Sequence, residues 1–327
     1  MKAAAVGAVL AVLLVLAVLA ALSFGPLGVS PGELARAAIG DGSPRAALAL
    51  SLRVPRVITA LLVGGSLAGA GAAFQTIFRN PLVAPDLLGV SSGAGLGAAG
   101  ALLAGAAPVL VQGAAFAGGL AAAVLALGCA SLARTADPRL SLVLCGIVTG
   151  ALASAGLALA VFVAEPYTQL PTLTYWLLGS FSRALLPEVL LAGVPAFAGL
   201  IALLWLGFRL DVLSLGDEQA RALGLPAWPL RWTAIAAATL ATSAAVSVCG
   251  IVGWIGLLAP HAARQIVGSR ANRLLPASIV AGALFALGID RLSVAFGGAE
   301  VPVGLLAAAV GAPLFLILFV ATARAPA

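Results

Sequence analysis

Ala3-Ala-Ala-Val-Gly-Ala-Val-Leu-Ala-Val-Leu-Leu-Val-Leu-Ala-Val-Leu-Ala-Ala-Leu22 carries no polar side chain on any face. Wound as a helix at about 1.5 Å per residue, such a run is as long as the hydrocarbon core of a bilayer is thick, about 30 Å. Leu306 to Val320 has the same texture, and similar runs recur along the chain with short polar gaps between them. Barrel strands would alternate apolar and polar residues over about 10 positions. These runs do not alternate, so the backbone must satisfy its own hydrogen bonds as helices. Of the 327 residues 62% are hydrophobic and 9% charged, against roughly 25% charged in a soluble domain. The expected fold is an all-α integral membrane protein.

Ten spans are expected, at about 3–23, 55–78, 88–106, 109–132, 141–164, 187–208, 231–249, 251–268, 274–295 and 302–322, forming one transmembrane domain over 1–327. The first span is long for a signal peptide and lacks a small-x-small cleavage site, so a retained helix is expected. With the N-terminus inside, eleven basic residues fall in cytoplasmic segments and six in outer ones, and the whole net charge of +6 lies inside. That is the positive-inside pattern. It places both termini in the cytoplasm and makes the basic pI a matter of topology, with no nucleic-acid partner implied.

Composition narrows the activity. The only lysine is Lys2, and a phosphate-binding P-loop needs a lysine behind its glycines. Any ATP is therefore handled by another chain. Cys129, Cys145 and Cys249 lie inside apolar runs, as free buried thiols do. His261 reads as a packing histidine, and Asp290 with Arg291 sits near the outer end of the ninth span. With ionisable residues nearly absent from the middle of the spans, an ion-coupled carrier and an intramembrane enzyme are both poorly supported. The many glycines within spans let helices approach closely, while a pore-lining role for some of them stays open.

The loop after the sixth span is different. Across Arg209 to Pro226, Ser214 or Asp217 is placed to start a short helix, Gly224 to end it and Pro226 to stop its continuation. A helix over about 214–225, outside the bilayer, interleaves Asp217, Glu218 and Arg221 with Leu215, Ala222 and Leu223. A solvated surface helix has this composition. So does a helix that docks into a cleft on a cytoplasmic partner.

Six stretches together resemble the FecCD family of importer permeases. They are Arg53-Val-Pro-Arg56; Phe78-Arg-Asn-Pro-Leu82 through Leu88-Gly-Val-Ser-Ser-Gly93; Trp176-Leu-Leu-Gly-Ser180; Leu215-Gly-Asp-Glu-Gln-Ala-Arg-Ala-Leu-Gly224; Gly256-Leu-Leu-Ala-Pro-His261; and Val301-Pro-Val-Gly304 with Gly311-Ala-Pro313. The resemblance implies a type II ABC importer permease in a bacterial or archaeal cytoplasmic membrane. It implies a homodimer, two cytoplasmic ATPase subunits that use ATP and Mg, and a periplasmic or lipid-anchored binding protein; no cofactor is expected on this chain. The cargo implied is an iron chelate such as a ferric siderophore or haem, with cobalamin, an oxyanion or another metal chelate as alternatives.

By the same resemblance, Leu215, Gly216, Asp217, Glu218, Ala220, Arg221, Leu223 and Gly224 form the coupling helix that sits on the ATPase. Arg53 and Arg56 dock the binding protein, and Asn80 with Pro81 belongs to a cytoplasmic gate. Arg291 is displaced from the family's third docking arginine. The second gate segment, Asp137-Pro-Arg-Leu-Ser141, departs from the family pattern.

Overall fold

The computed structural model describes residues 2–25, 27–133, 138–183, 185–295 and 300–323. They form α1 (Lys2–Ser23), α2 (Pro31–Ala38), α3 (Pro44–Phe78), a single 3-10 turn (Pro85–Leu88), α4 (Val90–Leu103), α5 (Pro108–Leu132), α6 (Pro138–Val163), α7 (Gln169–Leu178), α8 (Leu186–Leu215), α9 (Asp217–Ala222), α10 (Ala227–Cys249), α11 (Ile255–Val267), α12 (Ala271–Ala295) and α13 (Val303–Ala323). Among the described residues eight helices are long and apolar enough to cross a membrane: α1, α3, α5, α6, α8, α10, α12 and α13.

The two remaining expected spans coincide with α4 and α11, of 14 and 13 residues. At about 1.5 Å per residue neither covers a 30 Å core alone. Each is continued by irregular backbone. Before α4 the chain runs through Pro81, Pro85 and Gly89, and Gly89 adopts φ 71°. Before α11, Gly250 (φ 83°) and Trp254 (φ 69°) unwind the chain after α10. Non-helical backbone is tolerated at membrane depth where neighbouring protein satisfies it. Here the Ser180 N–H donates to the Cys249 carbonyl at 2.8 Å, and the Val303 N–H donates to the Gly179 carbonyl at 3.0 Å. The ends of α7, α10 and α13 are thus knitted together.

Two boundaries differ from the sequence reading in ways that matter for function. The second span starts at Pro44, not at residue 55, because Ser43 caps the helix by accepting the Ala46 N–H at 3.3 Å and Pro44 fits its first turn. Pro55, the residue expected at the start, lies inside α3. Arg53 and Arg56 therefore sit on a helix and not ahead of it. The loop helix is also shorter than 214–225. Ser214 and Leu215 complete α8, and Gly216, at φ 140°, breaks the chain before α9. The Ser214 hydroxyl donates to the Asp211 carbonyl at 2.6 Å, so it caps nothing. The sequence reading missed α2 and α7, both within segments taken as loops.

The thiols are free, as expected, but only Cys249 is buried; Cys129 is exposed on α5. His261 is buried, with its ring edge-on to Phe315 at 5.4 Å between centroids.

α3 runs through the centre, packed against α8, α10, α11 and α12. In a bilayer, lipid tails are as apolar as leucine, so helices are held by close approach more than by escape from water. Gly64 and Gly282 supply that approach between α3 and α12: a methyl group on either would strike the carbonyl oxygen of the other. Gly71 likewise admits the Gly256 carbonyl of α11. We expect Gly282→Val to cost about 1–3 kcal/mol through overpacking, read as a lower melting temperature in detergent. Gly288→Ala, on the same helix with open space around it, should leave melting unchanged.

Candidate functional site

Charge collects at two ends of the bundle. At one, α9 is bracketed by two glycines in the left-handed half of conformational space, Gly216 (φ 140°) and Gly224 (φ 78°). These conformations disfavour any residue with a Cβ. Ala220 is fully buried and fixes one face of α9, while Leu215, Glu218, Arg221 and Leu223 are exposed around it. The Leu225 N–H returns to the Ala220 carbonyl at 2.9 Å and the Gly224 N–H to the Arg221 carbonyl at 2.9 Å, closing the C-terminal turn.

Asp217 was expected among the outward charges. Instead it faces into the protein, where three arginines converge on its carboxylate. Arg231 of α10 binds it in two-pronged fashion, at 2.7 Å and 3.3 Å. Arg139 of α6 lies at 3.5 Å and Arg79, the residue that caps the end of α3, at 3.6 Å. Arg231 is 1% exposed and stacks on Trp228, and a buried guanidinium without a counter-charge would be costly. Arg79 also donates to the Leu213 carbonyl at 3.2 Å. One carboxylate thereby ties α9 to α3, α6, α8 and α10. Donation from Arg231 is the largest cause holding the Asp217 carboxyl below the usual carboxylate range, with the charges of Arg139 and Arg79 adding to it against partial burial.

Asn80 and Pro81 follow Arg79 directly and are exposed at the same end. The Asn80 side chain accepts the Leu82 N–H at 2.9 Å, the local turn that ends α3. Arg79 thus joins the expected gate turn to the expected coupling helix. In the second gate segment Asp137 lies outside the described residues, and Arg139 belongs to the Asp217 cluster.

At the other end the expected docking arginines are not free. Arg53 is 6% exposed and donates to the Leu22 and Ser23 carbonyls at 2.8 Å and 3.1 Å. Arg291 donates to the Ala21 and Phe24 carbonyls at 3.0 Å and 3.1 Å. Both satisfy carbonyls left open where α1 ends, where the helix dipole favours cations. Arg56, 8% exposed, bridges Asp290 at 2.6 Å and Glu300 at 2.5 Å. Asp290 is fully buried and also pairs with Arg291. Glu300 accepts the Ser182 hydroxyl at 2.6 Å. Burial pushes its carboxyl up, but the bonds from Ser182 and Arg56 outweigh this and hold it below the usual range. Neither guanidinium is left free at the surface: Arg56 is held by Asp290 and Glu300, and Arg53 by the carbonyls at the end of α1.

The Asp217 cluster has a defined pH signature. A folded-state pKa below the unfolded one, about 4 for aspartate, stabilises the fold at every pH above the unfolded value and stops doing so as pH falls through the folded value. Asp217→Asn should therefore lower the melting temperature by a similar amount from pH 8 to pH 5, equivalent to roughly 1 kcal/mol for a partly solvated pair. Below about pH 4 the difference from the parent should close.

Comparison with known proteins agrees with this architecture. The model of the FecCD transport family matches residues 13–321. The Fe(3+)-citrate import system permease protein YfmE of Bacillus subtilis is 38% identical over 93% of this chain and 91% of its own length. The molybdate import system permease protein MolB of Haemophilus influenzae is 35% identical over 82% and 79%. A solved structure assigned to the metal-chelate type of ABC transporter, in an inward-facing conformation, superposes with a TM-score of 0.86 at 32% identity, covering 97% of this chain and 99% of that one. The chain belongs to the FecCD transport family, as a multi-span inner-membrane permease subunit of the ABC importer class.

Proposed function

We propose that this chain is the translocating half of an importer, working as a homodimer with two cytoplasmic ATPase subunits and a substrate-binding protein. The Asp217 cluster carries this reading. The short helix α9 exposes Glu218 and Arg221, with Leu215 exposed before it and Leu223 after it, and its Asp217 carboxylate is bound by arginines of α6, α10 and the end of α3, of which Arg79 also reaches α8. A push on α9 is thereby delivered to α3, α6, α8 and α10 together, and the packed helices exchange an outward opening for an inward one. ATP and Mg are used by the partner. No cofactor is proposed on the chain itself, and with Lys2 as its only lysine it has no P-loop. Both termini, α9 and the Asn80-Pro81 turn face the cytoplasm, as the distribution of basic residues supports.

The binding protein docks at the opposite end. Because Arg53 and Arg56 are held within the chain, their part is to fix the docking face, and Arg36 on α2 and Arg45 in the first turn of α3 supply exposed cations. The cargo proposed is an iron chelate, following the 38% identity to the Fe(3+)-citrate permease. The identity to the molybdate permease favours an oxyanion as the second reading.

Proteoliposomes containing this chain, its ATPase and its binding protein should take up ferric chelate only with ATP. Uptake driven by an ion gradient in the absence of ATPase would overturn the importer reading, and uptake of molybdate but not of any iron chelate would select the second cargo. In the same vesicles Gly224→Pro, which cannot adopt φ 78°, and Glu218→Lys should abolish uptake while leaving ATP hydrolysis and folding intact. Unchanged uptake would remove the coupling role of α9.

A further inference from the structure

Where α8 ends and α12 begins, a cavity of about 560 Å³ is lined by Phe208, Asp211, Ser214, Arg270, Asn272 and Arg273. Gly207 lets the α12 backbone come close: a Cβ there would be 3.2 Å from the Asn272 Cα. Asp211 is engaged locally, its carboxylate accepting the Ala271 and Asn272 N–H groups that open α12. It caps the positive end of the α12 dipole, and no ion pair joins it to Arg270 or Arg273 among the described residues. Arg270 and Arg273 are exposed, and among the described residues neither guanidinium has a hydrogen bond or an ion pair. This sets them apart from Arg56, Arg79, Arg139, Arg231 and Arg291, each of which reaches a carboxylate. Arg209, the residue after Phe208 on α8, is stacked over Trp205 at 4.1 Å from the ring centroid.

An apolar track leads to this cavity. Leu190, Val194, Phe197, Ile201, Trp205 and Phe208 follow one another at three- and four-residue spacing, so they share one stripe of α8. All are more than half exposed. Near its cavity end the stripe carries Trp205 under the Arg209 guanidinium, the arrangement of a membrane interface. An ion alone would need the guanidinium groups but not the track.

We propose that this cavity binds the phosphate headgroup of an acidic phospholipid, with Arg270 and Arg273 on the phosphate and the acyl chains along the α8 stripe. Guanidinium groups match phosphate oxygens in two-pronged geometry, and basic pockets between membrane helices are where such headgroups are held. Ser214 and Leu215, just before α9, belong to the cavity lining. Lipid bound there would brace the α8 end against α12.

Native mass spectrometry of the delipidated full chain in detergent, with dioleoyl phosphatidylglycerol or dioleoyl phosphatidylcholine added, tests this. The parent should retain phosphatidylglycerol in preference. Arg270→Gln and Arg273→Gln should each weaken that binding roughly fivefold, and the double variant about thirtyfold. Phosphatidylcholine binding and melting temperature should stay unchanged, and Arg270→Lys or Arg273→Lys, which keeps the charge but not the two-pronged geometry, should lose less of the preference than the corresponding glutamine variant. Arg36→Gln with Arg45→Gln, at the other end, should have no effect. Equal retention of the two lipids, or a preference that survives in the double glutamine variant, would overturn the proposal. So would displacement of the lipid by inorganic phosphate, which would make this a free-anion site. Unaltered lipid binding with loss of ATPase association in the double variant would assign the cavity to the protein partner instead.

Discussion

Every other feature of this protein depends on how closely α3 can be surrounded. A 35-residue helix at the centre of a membrane bundle gains little from hiding apolar surface, because the lipid around it is equally apolar. What remains is contact between backbones. Gly64 against Gly282 and Gly71 against Gly256 bring α12 and α11 against α3, with α8 and α10 packed on the same central helix. The outer faces of α1, α6 and α8 keep large apolar side chains exposed, as lipid-facing surfaces require. Close packing also makes the bundle unyielding to small deformations, so movement passes between discrete arrangements.

The charged ends then divide the work. Toward the α1 end, Arg53 and Arg291 close the carbonyls of α1 while Arg56, Asp290, Glu300 and Ser182 join α3 and α12 to the segments before α13 and α8. These contacts hold the helices in register. At the α9 end, one carboxylate gathers arginines from three helices. Both clusters are built from arginine. Its planar, permanently charged fork reaches several acceptors at once, which an ammonium group does less well.

Breaks in the helices matter as much as the helices. The unwound turn from Gly250 to Trp254 and the glycines around α9 put the backbone in conformations that a continuous helix forbids. At Gly250 the Cys249 carbonyl is taken up by the Ser180 N–H just after α7. At Gly216 the break converts a long membrane helix into a separate short one, which gives α9 a surface of its own.

Much of this was legible in the sequence. Unbroken apolar runs dictate membrane helices because hydrocarbon offers no other partner for the backbone. The lone lysine excludes self-contained ATP use, and the motifs from Arg53 to Pro313 identify the family. The loop helix was visible from its glycines and charges, though not its true start, because Gly216 looks like part of a helix until its neighbours fix φ. The orientation of side chains was not legible. Asp217 and Arg56 read as surface charges, and both turn inward because their partners, Arg231 at 14 residues' separation and Asp290 at 234, meet them only through tertiary packing. Local pattern determines which segments become helices. Only the assembled bundle decides which charge faces which, since that depends on distances between residues far apart along the chain.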